Sequence, residues 1–250
     1  MSAYRAFASV YDLLTDNVDY RQRAEKICSL LCHYGKGSGI LLDAGCGTGN
    51  FSELFSEKDY DVIGVDLSVD MLCEAQRKKT ERGLDILYLN QDMTDLDLYG
   101  TVDCAVCLLD GINHLPGEEA LQAAFRSIGF FMEKDGIFIF DVNTEYKHRC
   151  VLGDQTFVYD LPQVYCVWRN QYDSAEKRTD IRLDLFFPEG DGFIRQREEF
   201  SEWFYSDEQI QTGLHNANFE ILTCFAEESE TTKDKNSQRQ YYVCRKTKDQ

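Results

Sequence analysis

The chain has 250 residues, 43% of them hydrophobic, which suits one large α/β domain or a domain carrying an inserted subdomain. Its 44 acidic and 26 basic residues give a formal net charge of −18, a balance that repels phosphate backbones and argues against a nucleic-acid partner. No run approaches the roughly 18 consecutive apolar residues of a membrane span. The opening MSAYRAFASVYDLLTDNVDY also lacks the h-region of a signal peptide. A soluble, cytoplasmic protein with no membrane association is therefore expected.

Hydrophobic periodicity divides the first 142 residues into alternating units. Strand-like runs are ILLDA at 40–44, DVIGVD at 61–66, DILYLN at 85–90, VDCAVCLL at 102–109 and GIFIFDV at 136–142. Helical stretches lie between them, from Asn50 to Lys58, Val69 to Arg82 and Glu118 to Glu133. Short strands that are apolar on both faces and alternate with helices predict a doubly wound, mostly parallel sheet covered on both sides. After Asp141 the texture becomes all-β: TFVYDL, QVYCVWRNQYD, RTDIRLDLFF and GFIRQREEFSEWFY read as four antiparallel strands. Ser206 and Gln209 then form a capping box opening a helix to about Ala217. FEILTCFAEE and YYVCRK follow as final strands, joined by a solvated loop from Glu227 to Gln240. Residues 144–205 thus read as an inserted antiparallel β subdomain, and 1–143 with 206–250 as the main domain.

The ten cysteines are scattered and read as reduced thiols. Cys104 and Cys107 have C-x-x-C spacing, but strand alternation sends residues three apart to opposite faces, so neither a metal site nor a redox pair is expected.

In doubly wound sheets ligands sit at the carboxyl ends of the strands. There the chain reads Asp43-Ala44-Gly45-Cys46-Gly47-Thr48-Gly49, followed by a helix whose first amides favour an anionic group. A dinucleotide fingerprint needs G-x-G-x-x-G, and here the third glycine comes one place early. An acid two residues before the first glycine suits an ammonium or sulfonium, so a zwitterionic amino-acid moiety fits better than a pyrophosphate.

LDAGCGTG resembles the first motif of class I S-adenosylmethionine-dependent methyltransferases. The likeness extends through GVDLSVDML at 64–72, NQDMTDL at 90–96, CLLDGINHL at 107–115 and EKDGIFIFDVN at 133–143. YDLLTDNVDY is similar to the N-terminal segment of small-molecule members that carry a β insertion after the fifth strand. The resemblance implies a Rossmann-like fold with seven strands and S-adenosyl-L-methionine as cofactor, leaving as S-adenosyl-L-homocysteine. It places Gly45, Cys46 and Gly47 at the methionine portion beside Asp43, and Asp66 on the ribose hydroxyls. Asp92, beside Gln91, would take the adenine amino group. Leu67, Met71 and Met93 would wall the ring, Leu108 and Leu109 would line the site, and Tyr11 and Tyr20 would close over it.

Methyl transfer from a sulfonium is an in-line displacement that needs alignment and exclusion of water more than strong acid–base chemistry. Acceptor-side candidates at the mouth of the fourth strand are Asp110, Asn113 and His114. His33, His148 and His215 have no clustered partners in the sequence and read as structural. The aromatic-rich insertion would form a lid and a pocket for a small-molecule acceptor, methylated at nitrogen. Relatives with such an insertion often carry a histidine just before the final helix, where this chain has FSEWFY. Monomer and homodimer both stay open, as do two rival readings, a noncatalytic binder of the cofactor and a nicotinamide-dependent oxidoreductase.

Overall fold

The computed structural model describes residues 5–227 and 236–248. Much of the expected connection between the last two strands, residues 228–235, lies outside the described residues. Seven strands form the main sheet: β1 (Gly39–Ala44), β2 (Tyr60–Asp66), β3 (Ile86–Asn90), β4 (Val102–Cys107), β5 (Met132–Asn143), β10 (Phe219–Ala226) and β11 (Arg239–Lys246). Their order is β10-β11-β5-β4-β1-β2-β3. β11 runs antiparallel to both neighbours, whereas β5, β4, β1, β2 and β3 are parallel. A second sheet, in the order β6-β7-β8-β9, comprises β6 (Thr156–Leu161), β7 (Val164–Asp173), β8 (Arg178–Glu189) and β9 (Gly192–Trp203). All of its pairings are antiparallel, as the alternating sequences between β5 and the last helix predict.

Helices α3 (Tyr20–His33) and α4 (Asn50–Ser56) cover one face of the main sheet, and α6 (Gly117–Phe130) and α7 (Asp207–Asn216) the other. Cys104 faces the first layer and Cys107 the second, as strand alternation requires, and all ten cysteines are free. Helix α5 (Val69–Arg82) starts at Ser68, whose hydroxyl accepts from the Met71 amide at 3.3 Å. The capping box at Ser206 and Gln209 is formed. A third core lies between the inner face of the second sheet and two short helices, α1 (Arg5–Ala8) and α2 (Tyr11–Leu14). There Phe7 and Val10 pack with Val164, Leu183 and Leu185, and with Tyr159, Trp168 and Phe187 of the aromatic set.

Several boundaries move for local reasons. β4 stops at Cys107 rather than Leu109, because Leu109 (φ 53°) and Asp110 (φ 71°) turn left-handed and leave the sheet. α6 ends at Phe130 rather than Glu133, and β5 begins directly at Met132. A π-helical turn, Lys147–Leu152, joins β5 to the second sheet where no helix is expected. Among the described residues, no helix is long and apolar enough to cross a membrane.

Candidate active site

The glycine turn is a backbone device. Gly45, Gly47 and Gly49 have φ of 75°, 54° and 80°, a region costly for any residue with a Cβ. The amides of Gly45 and Cys46 both donate to the Val65 carbonyl (2.8 and 3.0 Å), folding the turn over the end of β2. Asp66 is pinned there: Oδ2 accepts from the Gly47 amide and Oδ1 from the Ser68 amide, each at 2.8 Å. One lone pair on each oxygen remains for a ligand. A Cβ on Gly47 would meet nothing within 4 Å, whereas one on Gly45 would come within 3.1 Å of Met93 Cε. The floor is thus open at Gly47 and walled by Met93 at Gly45.

Around this floor Leu67 stands 69% exposed, an apolar side chain that nothing in the protein covers. Asp92 is exposed as well, its Oδ1 accepting from the amide and hydroxyl of Thr94, both at 2.8 Å. Tyr11 and Tyr20 approach from the N-terminal segment. Burial, then the neighbouring Tyr20 and Asp110, raise the Tyr11 phenol well above its usual range. The Tyr20 hydroxyl donates to Thr15 Oγ1 at 3.0 Å. A polar latch that sequence reasoning missed fastens this segment to the glycine turn. Asp12 Oδ1 accepts from Thr48 Oγ1 (2.6 Å) and Asn50 Nδ2 (2.8 Å), and Oδ2 from Lys78 Nζ (2.8 Å).

Other residues expected at the cofactor are engaged within the protein. Asp43 is only 2% exposed, and its Oδ2 accepts from Ser52 Oγ at 2.6 Å, so it braces α4 against β1 rather than facing a ligand's cation. Gln91 spends both ends of its amide on the backbone of Asp97 (2.8 and 3.0 Å). Met71, 4% exposed, belongs to the third core, and Leu108, 6% exposed, to the core under α3 and α4, so neither offers a wall. The Cys46 thiol is turned toward Gly64, where a Cβ would come within 3.1 Å of its Sγ, and burial raises it well above the usual thiol range.

At the mouth of β4 the structure gathers a buried ionic cluster. Leu109 and Asp110 donate their amides to the Asp141 carboxylate at 2.9 and 3.2 Å. Arg239 bridges Asp141 and Asp110, and Lys147 Nζ lies 4.0 Å from Asp110 Oδ1. Lys147 also donates to Asn143 Oδ1 (2.8 Å), whose Nδ2 donates to Glu202 Oε2 (2.9 Å). Burial alone would raise the Asp110 carboxyl, but Arg239, Lys147 and His114 outweigh it and hold it well below the usual carboxylate range. Burial, with the charge of Asp110 added, pushes Glu202 up to about 7. Glu202 lies within FSEWFY, the segment that lacks the expected histidine.

His114 sits between the two halves of the site. Burial lowers its pKa while Asp110 and Asp66 both raise it, and the net shift is downward. It packs on Phe200 of β9 with ring centroids 5.5 Å apart. Asn113 is a brace rather than a reactive group: Nδ2 donates to the Trp203 carbonyl (2.7 Å) and Oδ1 accepts from the Asn143 amide (2.8 Å). His148, expected to lack partners, is fully buried, meets Thr179 Oγ1 through Nδ1 at 2.9 Å and feels the charge of Asp110.

Residues 41–136 match the family described as a methyltransferase domain. The Bacillus subtilis protein YqeM is 30% identical over 246 residues, covering 98% of each chain. A crystal structure of an S-adenosylmethionine-dependent methyltransferase from Clostridium acetobutylicum superposes with a TM-score of 0.87 at 30% identity, over 98% of this chain and 99% of that one. This chain belongs to the S-adenosylmethionine-dependent methyltransferases. A sugar enzyme of Streptomyces fradiae, dTDP-3-amino-3,6-dideoxy-alpha-D-glucopyranose N,N-dimethyltransferase, is 30% identical over 134 residues, about half of either chain.

The residues of this methyltransferase fit its cofactor. Open space at Gly47, uncovered apolar Leu67 and an Asp66 carboxylate fixed by two amides match an amino-acid end, a purine and a ribose respectively.

Burial of Asp43 has a consequence for stability. Its carboxyl is pushed up to about 7 by burial, which the Ser52 hydrogen bond only partly offsets. The native state therefore binds this proton more tightly than the unfolded chain does. The associated stability is complete below the unfolded pKa near 4 and is lost as pH rises through about 7. Asp43→Asn, neutral throughout, is expected to stabilise the methyltransferase at pH 8 by on the order of 2–4 kcal/mol while changing little at pH 4. Chemical denaturation at the two pH values measures the difference.

Proposed function

We propose that this methyltransferase acts on a nitrogen of a small-molecule acceptor bound between the mouth of β4 and the inner face of the second sheet. The observation that carries this reading is the Asp110 cluster: a carboxylate paired with Arg239 and the His114 imidazole, both half-buried, on the turn that lies against Gly45. When bound, S-adenosyl-L-methionine supplies an electrophilic methyl group on a sulfonium and departs as S-adenosyl-L-homocysteine.

On this reading Gly45 and Gly47 admit the amino-acid end, Asp66 holds the ribose and Asp92 accepts from the adenine amino group. Leu67 and Met93 flank the ring, and Tyr11, latched down through Asp12, excludes water. Asp110 orients the acceptor amine, and His114 receives the proton that the nitrogen sheds once its bond to the methyl carbon has formed. Residues 144–205 act as the lid. The S. fradiae relative, whose name records methylation at a sugar nitrogen, supports this choice of acceptor atom.

Incubating the enzyme with 13C-methyl-labelled S-adenosylmethionine and a panel of amino sugars and amino acids tests it. The expected result is a labelled N-methyl product, lost in His114→Gln at neutral pH. Label found only on oxygen or carbon would overturn the assignment.

A further inference from the structure

We propose that Arg239, on the last strand, is a positioning residue for methyl transfer: by bridging Asp141 and Asp110 it locks the Leu109–Asp110 turn, where cofactor loop and acceptor pocket meet. The inference rests on placing the acceptor at Asp110, as above.

The turn needs a lock. Leu109 and Asp110 are consecutive non-glycine residues with φ of 53° and 71°, a conformation that L side chains adopt only when their surroundings impose it. Both of their amides point at one carboxylate, Asp141, which is 0% exposed. Arg239, with 5% of its side chain exposed, places Nη1 on Asp141 and Nη2 on Asp110 Oδ1, while Nε faces Glu227 Oε2 at 3.6 Å. A planar guanidinium holds the two carboxylates on separate nitrogens at a fixed spacing, whereas an ammonium would have to serve both from one nitrogen.

The turn also touches the cofactor side. A Cβ on Gly45 would lie 3.9 Å from Gly111 Cα and 4.0 Å from Cys107 Sγ, ordinary contact distances that place the chain on either side of the Leu109–Asp110 turn next to the glycine floor. Ion pairs this deeply buried are weak devices for stability, because desolvation offsets most of their attraction. What this one fixes is where the Asp110 carboxylate stands relative to Lys147, His114, His148, Tyr11 and Glu202, the groups that feel its charge.

The test uses Arg239→Gln and Arg239→Lys of the full chain. It combines calorimetric titration with S-adenosylhomocysteine and an NMR pH titration of the His114 ring, assigned through His114→Gln. In Arg239→Gln, Asp110 stays buried with only Lys147, 4.0 Å away, as its cation and is expected to take up a proton. His114 then titrates at lower pH, as it does in Asp110→Asn, and the dissociation constant rises about tenfold. Arg239→Lys, which keeps a charge but not the bridge, is expected to weaken binding by about threefold, and it decides the matter if the Gln variant does not fold. Parent-like affinity together with a parent-like His114 titration in a folded variant would overturn the inference, even if the melting temperature fell. Neither readout involves a methyl acceptor, so failure to methylate nitrogen would sink the proposed function and leave this result standing.

Discussion

If Asp66 holds the ribose as proposed, Asp66→Ala is expected to weaken binding of S-adenosylhomocysteine by at least about a hundredfold, because two charge-assisted hydrogen bonds, each worth roughly 1.5–3 kcal/mol, vanish together. The loss goes beyond the ligand contacts. Asp66 also accepts from the amides of Gly47 and Ser68, so its removal unpins the glycine turn and frays the start of α5. Asp66→Asn separates these effects. An amide oxygen can still receive one backbone donor, and its binding loss should fall between that of the parent and that of the alanine variant. Calorimetric titration of the three proteins, with melting curves confirming that each is folded, provides the measurement. Parent-like affinity in Asp66→Ala would remove the ribose from this position.

The place of Asp66 at the end of β2 was legible in the sequence because it combines two local signals, an apolar strand that ends in an acid and a helix that begins just beyond it. The glycine turn, the four alternating strands of the second sheet and the capping box at Ser206 were legible for the same reason. Asp43 carries a nearly identical local signal and means something else. It is the next-to-last residue of β1, its side chain points at α4, and Ser52 waits there to donate to it. Strand alternation told which residues share a face, but not which helix would cover that face. The packing of Met71 was hidden similarly, since its partners come from α1 and the second sheet, and a four-residue helix has no periodicity to announce itself.

The ionic cluster was hidden for a different reason. Arg239 reaches Asp110 across 128 intervening positions in the chain order only because β11 lies antiparallel beside β5, with Arg239 opposite Asn143 and Tyr241 opposite Asp141. No spacing rule links residues so far apart. Glu202 was visible as a letter in FSEWFY, but its role depends on being carried by β9 against the end of β5, where Asn143 donates to it and in turn accepts from Lys147. The sequence thus displayed the proposed cofactor half of the site, which is built from consecutive strand ends. The acceptor half is assembled from four separate stretches and emerges only with the fold.

Asn113→Ala should lower the melting temperature by about 6–12 °C, the consequence of roughly 3 kcal/mol lost in a protein of this size. Asn113 is fully buried and ties three elements together: the turn Gly111–His114 that contains it, the end of β5 through the Asn143 amide and the end of β9 through the Trp203 carbonyl. Truncation leaves a buried donor and a buried acceptor unpaired, each costing about 1–3 kcal/mol. Asn113→Asp should be worse than its isosteric shape suggests, since it keeps the acceptor for Asn143, turns the donor into an oxygen facing the Trp203 carbonyl and buries a charge. The melting curves also discriminate between roles. A group acting only in the chemistry would lose activity with its melting temperature unchanged, whereas a brace between the two sheets loses stability first. His114 follows Asn113 in the same turn, so activity measured below the new transition should fall as well, through a misplaced imidazole rather than a missing amide.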